Sequence, residues 1–269
     1  MSATKESKII FFYFILVAIW WLVLYLLNIK YNVHNYLYQF GFGLIPLLGG
    51  FSGFFKSKKW GFLHSKVGSA IFFMSAGLIS WGLGQMAWSF YNIVLKVEVP
   101  YPSFADVGYI GAVPLWAIGI VYLSKATGAR FSLKKLHGKI FLFLIPIIAS
   151  IISYYLLIVV ARGGSIDLNS QILKLFFDFA YPIGDLIILT LALLIYGLSF
   201  NYLGGRFKFP IITLIVGFIL MYITDFTFSY TTTVGTYYNG HWVDLLFPTV
   251  MAILAFGINN LDPELEGDK

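Results

Sequence analysis

Long apolar runs alternate with short polar linkers along the whole chain, and eight of the runs approach the roughly 20 residues that a bilayer-spanning helix needs. The predicted spans cover residues 9–29, 37–55, 67–95, 105–125, 138–161, 170–200, 208–232 and 241–259. No linker is long enough for a separate soluble domain. The pattern predicts an all-α, polytopic membrane helix bundle with eight transmembrane helices over residues 1–261. A short, exposed acidic tail is expected over residues 262–269.

The composition agrees with this pattern. Charged residues make up 11% of the chain and hydrophobic residues 59%, whereas soluble domains carry about 25% charged residues. A chain with so few charges cannot cover a compact soluble fold with polar surface, which excludes a soluble globular enzyme. Cysteine is absent, so disulfides, cysteine-ligated metals and thiol catalysis are excluded as well.

The positive charges lie mostly on one side of the predicted bundle. Fourteen of the 18 Lys and Arg residues fall on that side, and only Lys30, Lys96, Arg162 and Lys174 fall on the other. Basic loops stay in the cytoplasm, so both termini are predicted to be cytoplasmic in a multi-pass protein of the cell (plasma) membrane. The net charge of +6 then reflects contact with the lipid bilayer and its anionic headgroups. It does not indicate a nucleic-acid partner.

The second half of the chain echoes the first. Asp106 is followed by Ala117 and Asp244 by Ala255, with the same spacing of 11 residues. The two predicted spans run in the same direction, so the pattern favours two parallel four-helix repeats. A site shared by such repeats lies between the halves. Apolar helices also resemble one another by chance, and this second interpretation stays open.

Five aspartates fall inside or at the ends of the predicted spans: Asp106, Asp178, Asp185, Asp225 and Asp244. An aspartate at the centre of a spanning helix costs roughly 2.5–3.5 kcal/mol, so such residues usually face a bundle interior or a water-filled cavity. The topology places four of them in the outer half of the bundle and Asp185 near the midplane. They are therefore the first candidates for a site.

Spacing along span six groups several polar residues on one helix face. Lys174, Asp178, Tyr181 and Asp185 recur at intervals of four, three and four residues, which is one helical face. Pro182 removes a backbone donor and frees the carbonyl of Asp178, which then needs another partner. This stripe is predicted to form one wall of a polar cavity. Asp178 has the simpler interpretation of an ion pair with Lys174.

Span three is predicted to supply the opposite wall, because Trp81, Gln85 and Trp88 share a face. Asp106 and Asp244 are expected to shape the mouth, although both also suit the capped first turn of a helix. The predicted ligand-binding residues are Asp178, Tyr181, Asp185, Asp225, Trp81, Gln85, Trp88, Asp106 and Asp244.

The residue list argues against an enzyme and against a bound cofactor. The four histidines lie in linkers or near span ends, too shallow for a bis-histidine haem inside the membrane. The hydrolase and metalloprotease motifs G-x-S-x-G and H-E-x-x-H are missing. We therefore predict no enzyme, no cofactor and no metal. An outer metal site built from His34, His241 and Asp244 is the one alternative that the spacing allows.

Three sequence segments carry a family resemblance. They are residues 101–106 with Tyr109 and Pro114, residues 180–186, and Asp225 with residues 240–244. Together they resemble the multi-span membrane sensor regions found ahead of diguanylate cyclase or histidine kinase modules in prokaryotic signalling proteins. The match extends from span three onward. The chain ends about ten residues after span eight, so the resemblance implies a sensor without an output domain.

The leading prediction is a membrane sensor or ligand-binding protein with an acidic, aromatic-lined cavity in the outer half of the bundle. It would take a small cationic or polar ligand from the outer side and act through a membrane or cytoplasmic protein partner. Two alternatives stay open. One is a secondary transporter or proton-coupled carrier, and the other is a non-catalytic structural subunit of a membrane complex.

Overall fold

The computed structural model describes residues 3–127, 136–164, 171–199 and 208–266. These ranges are all-α and contain no strand, and 84% of the structure is helical. The eight helices are α1 Lys5–Leu26, α2 Val33–Lys59, α3 Lys66–Phe90, α4 Phe104–Ala126, α5 Leu136–Ser153, α6 Ile172–Ser199, α7 Lys208–Thr233 and α8 Val243–Asn259. Helices α3 and α5 continue through π-helical turns at Tyr91–Leu95 and Tyr154–Val160.

Each predicted span coincides with one helix, and the ends differ by a few residues. Several helices begin at a side-chain cap that the apolar pattern alone does not mark. Thr4 accepts a hydrogen bond from the Ser7 amide and Ser65 from the Gly68 amide, while Asn32 and Ser103 form capping boxes. Such caps satisfy amides that have no partner within the helix. Within the described residues, seven helices are long and apolar enough to cross a membrane, and α8, with 17 residues, is shorter.

The helices pack as a ring with two peripheral members. Following the closest contacts, the ring runs α2, α3, α4, α6, α7, α8 and back to α2. Helix α1 packs outside α2 and α8, and α5 packs mainly against α6. Apolar side chains on these outer helices face away from the protein, and Phe12, Phe143 and Ile151 are each more than 60% exposed.

Small residues bring the ring helices close together. A Cβ on Gly49 of α2 would lie 2.3 Å from the Cβ of Ala255 in α8. A Cβ on Gly108 of α4 would lie 2.4 Å from the backbone nitrogen of Gly84 in α3. Contacts of this kind let helix backbones approach directly, as is typical of helix packing in membranes.

The Gly108 contact leads to a stability prediction. Gly108→Ala should lower the free energy of unfolding by about 1–3 kcal/mol, because the added methyl group meets a backbone atom that cannot rotate away. Gly41→Ala is the control, since its Cβ would lie 3.3 Å from the nearest atom of the Trp20 ring. Unfolding in mixed detergent micelles measures both. Equal stability of the two variants would contradict the close α3–α4 contact.

The C-terminal segment differs from the expected exposed tail. Asp262 is 3% exposed, and its Oδ2 lies 2.6 Å from Lys56 Nζ and 3.4 Å from Lys59 Nζ. Lys56 also pairs with Glu6 at 3.0 Å, and Lys59 pairs with Glu264. The prediction of an exposed tail is therefore wrong at Asp262, whereas the Glu264 side chain is 71% exposed. The reason is that Lys56, which the sequence places at a span end, is buried and needs a counter-ion.

Candidate functional site

A cavity of about 1200 Å³ lies between the ring helices. Its mouth is lined by Tyr31, residues 96–101, Arg162 and residues 237–239, which come from the linkers after α1, α3, α5 and α7. Its floor includes Trp116, Phe218 and Met221. The structure brings all nine predicted site residues to this one cavity: Trp81, Gln85, Trp88, Asp106, Asp178, Tyr181, Asp185, Asp225 and Asp244.

Asp244 lies in the first turn of α8 and is 1% exposed. Its Oδ2 accepts hydrogen bonds from the Gly240 amide and from Gln39 Nε2, each at 2.6 Å. The Tyr237 hydroxyl donates to Oδ1 at 3.1 Å. These donors are neutral, and the ion pairs of the described residues do not include Asp244. The buried carboxylate is therefore held by neutral groups of α2 and the α7–α8 linker.

Gln85 continues the same hydrogen-bond chain from α3. Its Nε2 donates to Gln39 Oε1 at 2.9 Å, and its Oε1 accepts from the Tyr109 hydroxyl at 2.6 Å. The chain thus runs from Tyr109 through Gln85 and Gln39 to Asp244. Every donor in it points toward the carboxylate, which fixes the orientation of both amides.

Asp106 has both of the roles predicted for it, since it caps a helix and also lines the cavity. One carboxylate oxygen, Oδ2, accepts from the Ser103 amide at 2.6 Å and from the Ser103 hydroxyl at 3.0 Å, which completes the capping box of α4. The other oxygen, Oδ1, accepts from the Tyr181 hydroxyl at 2.6 Å. The cap interpretation is confirmed, and the same side chain also joins α4 to α6 at the cavity wall.

Asp178 pairs with a different cation from the one predicted. Arg162 Nη1 lies 3.4 Å from Asp178 Oδ1, and the ion pairs among the described residues do not include one between Lys174 and Asp178. Arg162 Nη1 also donates to the Asp178 backbone carbonyl at 2.8 Å. That carbonyl is the one that Pro182 deprives of its helical donor, and α6 continues through the proline as one helix. The freed carbonyl was predicted to need another partner, and that partner is Arg162, which follows α5 and its π-helical turn.

Asp185 of α6 and Asp225 of α7 form a carboxyl pair. Both side chains line the cavity, keep some accessible surface and lie close enough to interact electrostatically. The ion pairs of the described residues include neither of them.

Aromatic rings cover the cavity wall between these polar groups. The Trp81 ring lies 5.1 Å from Tyr109 and 5.6 Å from Phe247, measured between ring centroids. Phe228 lies 4.9 Å from Tyr237 and 5.7 Å from Phe247. Trp88 adds a polar contact at the mouth, where its Nε1 donates to Asn239 Oδ1 at 3.0 Å.

Two tyrosines in the linkers at the mouth are held in the protonated form. Burial, and then the charge of Asp178, raise the pKa of Tyr101 above its ordinary value. Burial, and then the charge of Asp244, raise the pKa of Tyr237 well above it. Both phenols therefore stay neutral at physiological pH. They donate to the carboxylates, and Tyr101 donates to Asp178 Oδ1 at 3.0 Å.

The alternative metal site of His34, His241 and Asp244 is not assembled. In the described ranges, no three His, Asp or Glu side chains are grouped so that they could hold a metal ion. Asp244 is instead engaged with Gly240, Gln39 and Tyr237, as described above. A shared site at this position would also need His34, whose described hydrogen bond is from its amide to Asn32.

Sequence reasoning missed four residues that hold the site together: Gln39, Tyr109, Arg162 and Tyr237. Gln39 was overlooked because span two was predicted to begin at residue 37, whereas α2 begins at Val33 and places Gln39 well inside the helix. The feature that identified Gln85 was an amide side chain inside an apolar helix. The same feature would also have identified Gln39. Tyr109 entered only through the family resemblance.

Comparisons with known proteins do not identify the chain. No protein-family model matches it, and neither the curated proteins nor the solved structures that were searched contain a match. The resemblance to membrane sensor regions therefore stays a prediction.

Proposed function

We propose that this protein is a membrane receptor that binds a small cationic or polar ligand in its cavity from the outer side and acts through a protein partner. The observation that carries the proposal is the convergence of five costly aspartates on one cavity of about 1200 Å³. Aspartates within apolar helices usually mark a functional cavity. The proposed activity is binding without covalent chemistry.

The membrane placement has two supports. Several helices are long and apolar enough to span a bilayer, and outward-facing side chains of α1 and α5 are apolar. The distribution of Lys and Arg predicts that both termini are cytoplasmic. With that orientation, the mouth of the cavity opens on the outer side, because it is built from the linkers after α1, α3, α5 and α7.

A duplication of four helices would explain how the cavity is built. In the contact pattern, α2–α3 corresponds to α6–α7, α3–α4 to α7–α8, and α4–α6 to α8–α2. The polar contacts follow the same correspondence. Asp106 of α4 meets Tyr181 of α6, and Asp244 of α8 meets Gln39 of α2. This supports two parallel repeats, α1–α4 and α5–α8, with the cavity at their interface.

A carrier is the second candidate, favoured by this duplication and by the near-midplane Asp185. The packing supports a receptor more strongly. The described cavity lining reaches from the outer linkers to about the middle of the bundle and includes no residue of the α2–α3 linker. Below it, α2 and α8 are in direct contact at Gly49 and Ala255. A receptor requires an opening on one side only, whereas a carrier must open on both.

The proposal predicts a charge-selective ligand response. Hexylammonium should stabilise the purified protein against unfolding, as any ligand of the native state does, and the neutral isostere hexanol should stabilise it much less. Asp225→Asn should weaken hexylammonium binding about tenfold or more, because a positive ligand loses its counter-charge. Glu264→Gln, at the other end of the molecule, makes the same change in net charge and should leave binding unchanged.

Calorimetric titration of the three proteins measures these affinities. Equal responses to hexanol and hexylammonium, with no effect of Asp225→Asn, would overturn the receptor proposal. Uptake of hexylammonium into liposomes that is abolished by Asp185→Asn would support the carrier instead.

A further inference from the structure

The charge of the cavity wall is not balanced within the protein. Among the described residues, six acidic and three basic side chains line the cavity. The acidic ones are Glu98, Asp106, Asp178, Asp185, Asp225 and Asp244, and the basic ones are Lys96, Arg162 and Lys174. With each of these side chains counted in its ionised form, the wall has three more negative than positive charges. A ligand with one positive charge cannot neutralise it.

The negative groups also occupy separate places. Asp106 with Tyr181 forms one site, where α4 meets α6, and Asp244 with Gln39 forms another, where α8 meets α2. In the ring of helices these two junctions lie opposite each other, with α3 on one side and α7 on the other. The described residues offer no grouping of three carboxylate or imidazole ligands for a single metal ion.

Aromatic surface lies between the two sites. Tyr109, on the same helix as Asp106, donates its hydroxyl to Gln85, and Gln85 is linked through Gln39 to Asp244. Trp81 packs against Tyr109 and Phe247 along the same wall. Aromatic faces attract organic ammonium groups, and they also cover methylene groups. A hydrated metal ion would gain little from such a wall.

We propose that the ligand is a linear organic cation with two or more ammonium groups, a diamine or polyamine, that bridges the Asp106 and Asp244 sites. Its methylene chain lies along the aromatic wall at Trp81 and Tyr109. One ammonium group binds beside Asp106 and Tyr181, and another binds beside Asp244. This inference rests on the proposed function and narrows it to one class of ligand.

The test compares ligands of matched size on the intact protein. Titration calorimetry would use hexylammonium, 1,6-diaminohexane, its longer and shorter homologues, and Mg²⁺, at constant ionic strength. The best diamine should bind at least about tenfold more tightly than hexylammonium. Asp244→Asn and Asp106→Asn should each reduce the diamine to about the affinity of the monoamine, because each removes the counter-charge of one ammonium group. Glu264→Gln, at an exposed position at the other end of the molecule, changes the charge equally and should leave diamine affinity unchanged.

The outcomes separate this inference from the proposed function. If hexylammonium binds as tightly as every diamine, yet still depends on Asp225, the bridging ligand is wrong and the receptor stands. If Mg²⁺ binds more tightly than any amine and displaces it, the ligand class is wrong. If no amine binds at all and hexanol responds equally, both proposals fail. A diamine preference that Glu264→Gln abolishes as fully as Asp244→Asn would show general charge attraction and overturn the bridging geometry.

Discussion

Replacing Lys56 with methionine should lower the free energy of unfolding by about 3–5 kcal/mol, because it leaves a buried carboxylate without its main counter-ion. The side chains of Lys56 and Asp262 are 4% and 5% exposed and lie 2.6 Å apart. Glu6 also contacts Lys56, but its side chain is 42% exposed, so that pair contributes little. The effect therefore comes mainly from the Lys56–Asp262 pair, which ties the C-terminal segment to α2.

Two further variants make this prediction specific. Lys58→Met changes the charge equally at an exposed position and should alter stability by less than about 0.5 kcal/mol. Lys56→Met combined with Asp262→Leu removes both buried charges and should recover most of the loss. Reversible unfolding in mixed detergent micelles gives the three values. If Lys56→Met were no worse than Lys58→Met, the ion cluster would have no role in holding the C-terminal segment.

The same ion cluster makes the stability of the protein depend on pH, and the direction of this dependence follows from the pKa of Asp262. Burial alone would raise the pKa of Asp262. Hydrogen bonds from Lys56 and the Glu264 amide, with the charges of Lys56 and Lys59, more than offset this and hold the pKa below its ordinary value. A lowered native pKa adds stability above the unfolded value of about 3.9, and this contribution is lost as the pH falls through the native value. Asp262→Asn should lack this part of the acid dependence.

Much of the fold is predictable from the sequence because, in the described part of the chain, seven helices are apolar runs of spanning length and α8 is a shorter apolar run. The helix ends are less predictable. Thr4 and Asn32 extend α1 and α2 beyond the apolar runs by capping them, and a hydropathy pattern does not register such caps. The predicted start of span two placed Gln39 near the end of the helix. For that reason the contact of Gln39 with Asp244 was not predicted.

The site residues could be found because aspartates in apolar helices are costly and therefore few. Their partners could not, because they depend on which helices are neighbours. Arg162 follows α5 yet serves both the carboxylate and the freed carbonyl of Asp178 on α6. Lys174 is closer to Asp178 in sequence, but helical spacing alone does not show whether Lys174 or Arg162 pairs with Asp178. The buried pairing of Asp262 was missed for the same reason, since its partner lies about 200 residues away along the chain.

The central claim is that the cavity between the helices is open to water on the outer side. The chain has no cysteine, so a single introduced cysteine is the only thiol that a labelling reagent can modify. Ser229→Cys places a thiol on the cavity wall in α7. Ser75→Cys, at a fully buried position, and Lys58→Cys, at an exposed position of the basic end, serve as controls.

The direct measurement is the labelling of Ser229→Cys by membrane-impermeant methanethiosulfonates, applied separately to each side of the membrane. The account predicts labelling only from the side opposite the basic linkers, faster with the cationic reagent than with an anionic one of similar size. Lys58→Cys should label only from the basic side, and Ser75→Cys only after unfolding. Labelling of Ser229→Cys from the basic side, or only after unfolding, would contradict the outward-open cavity.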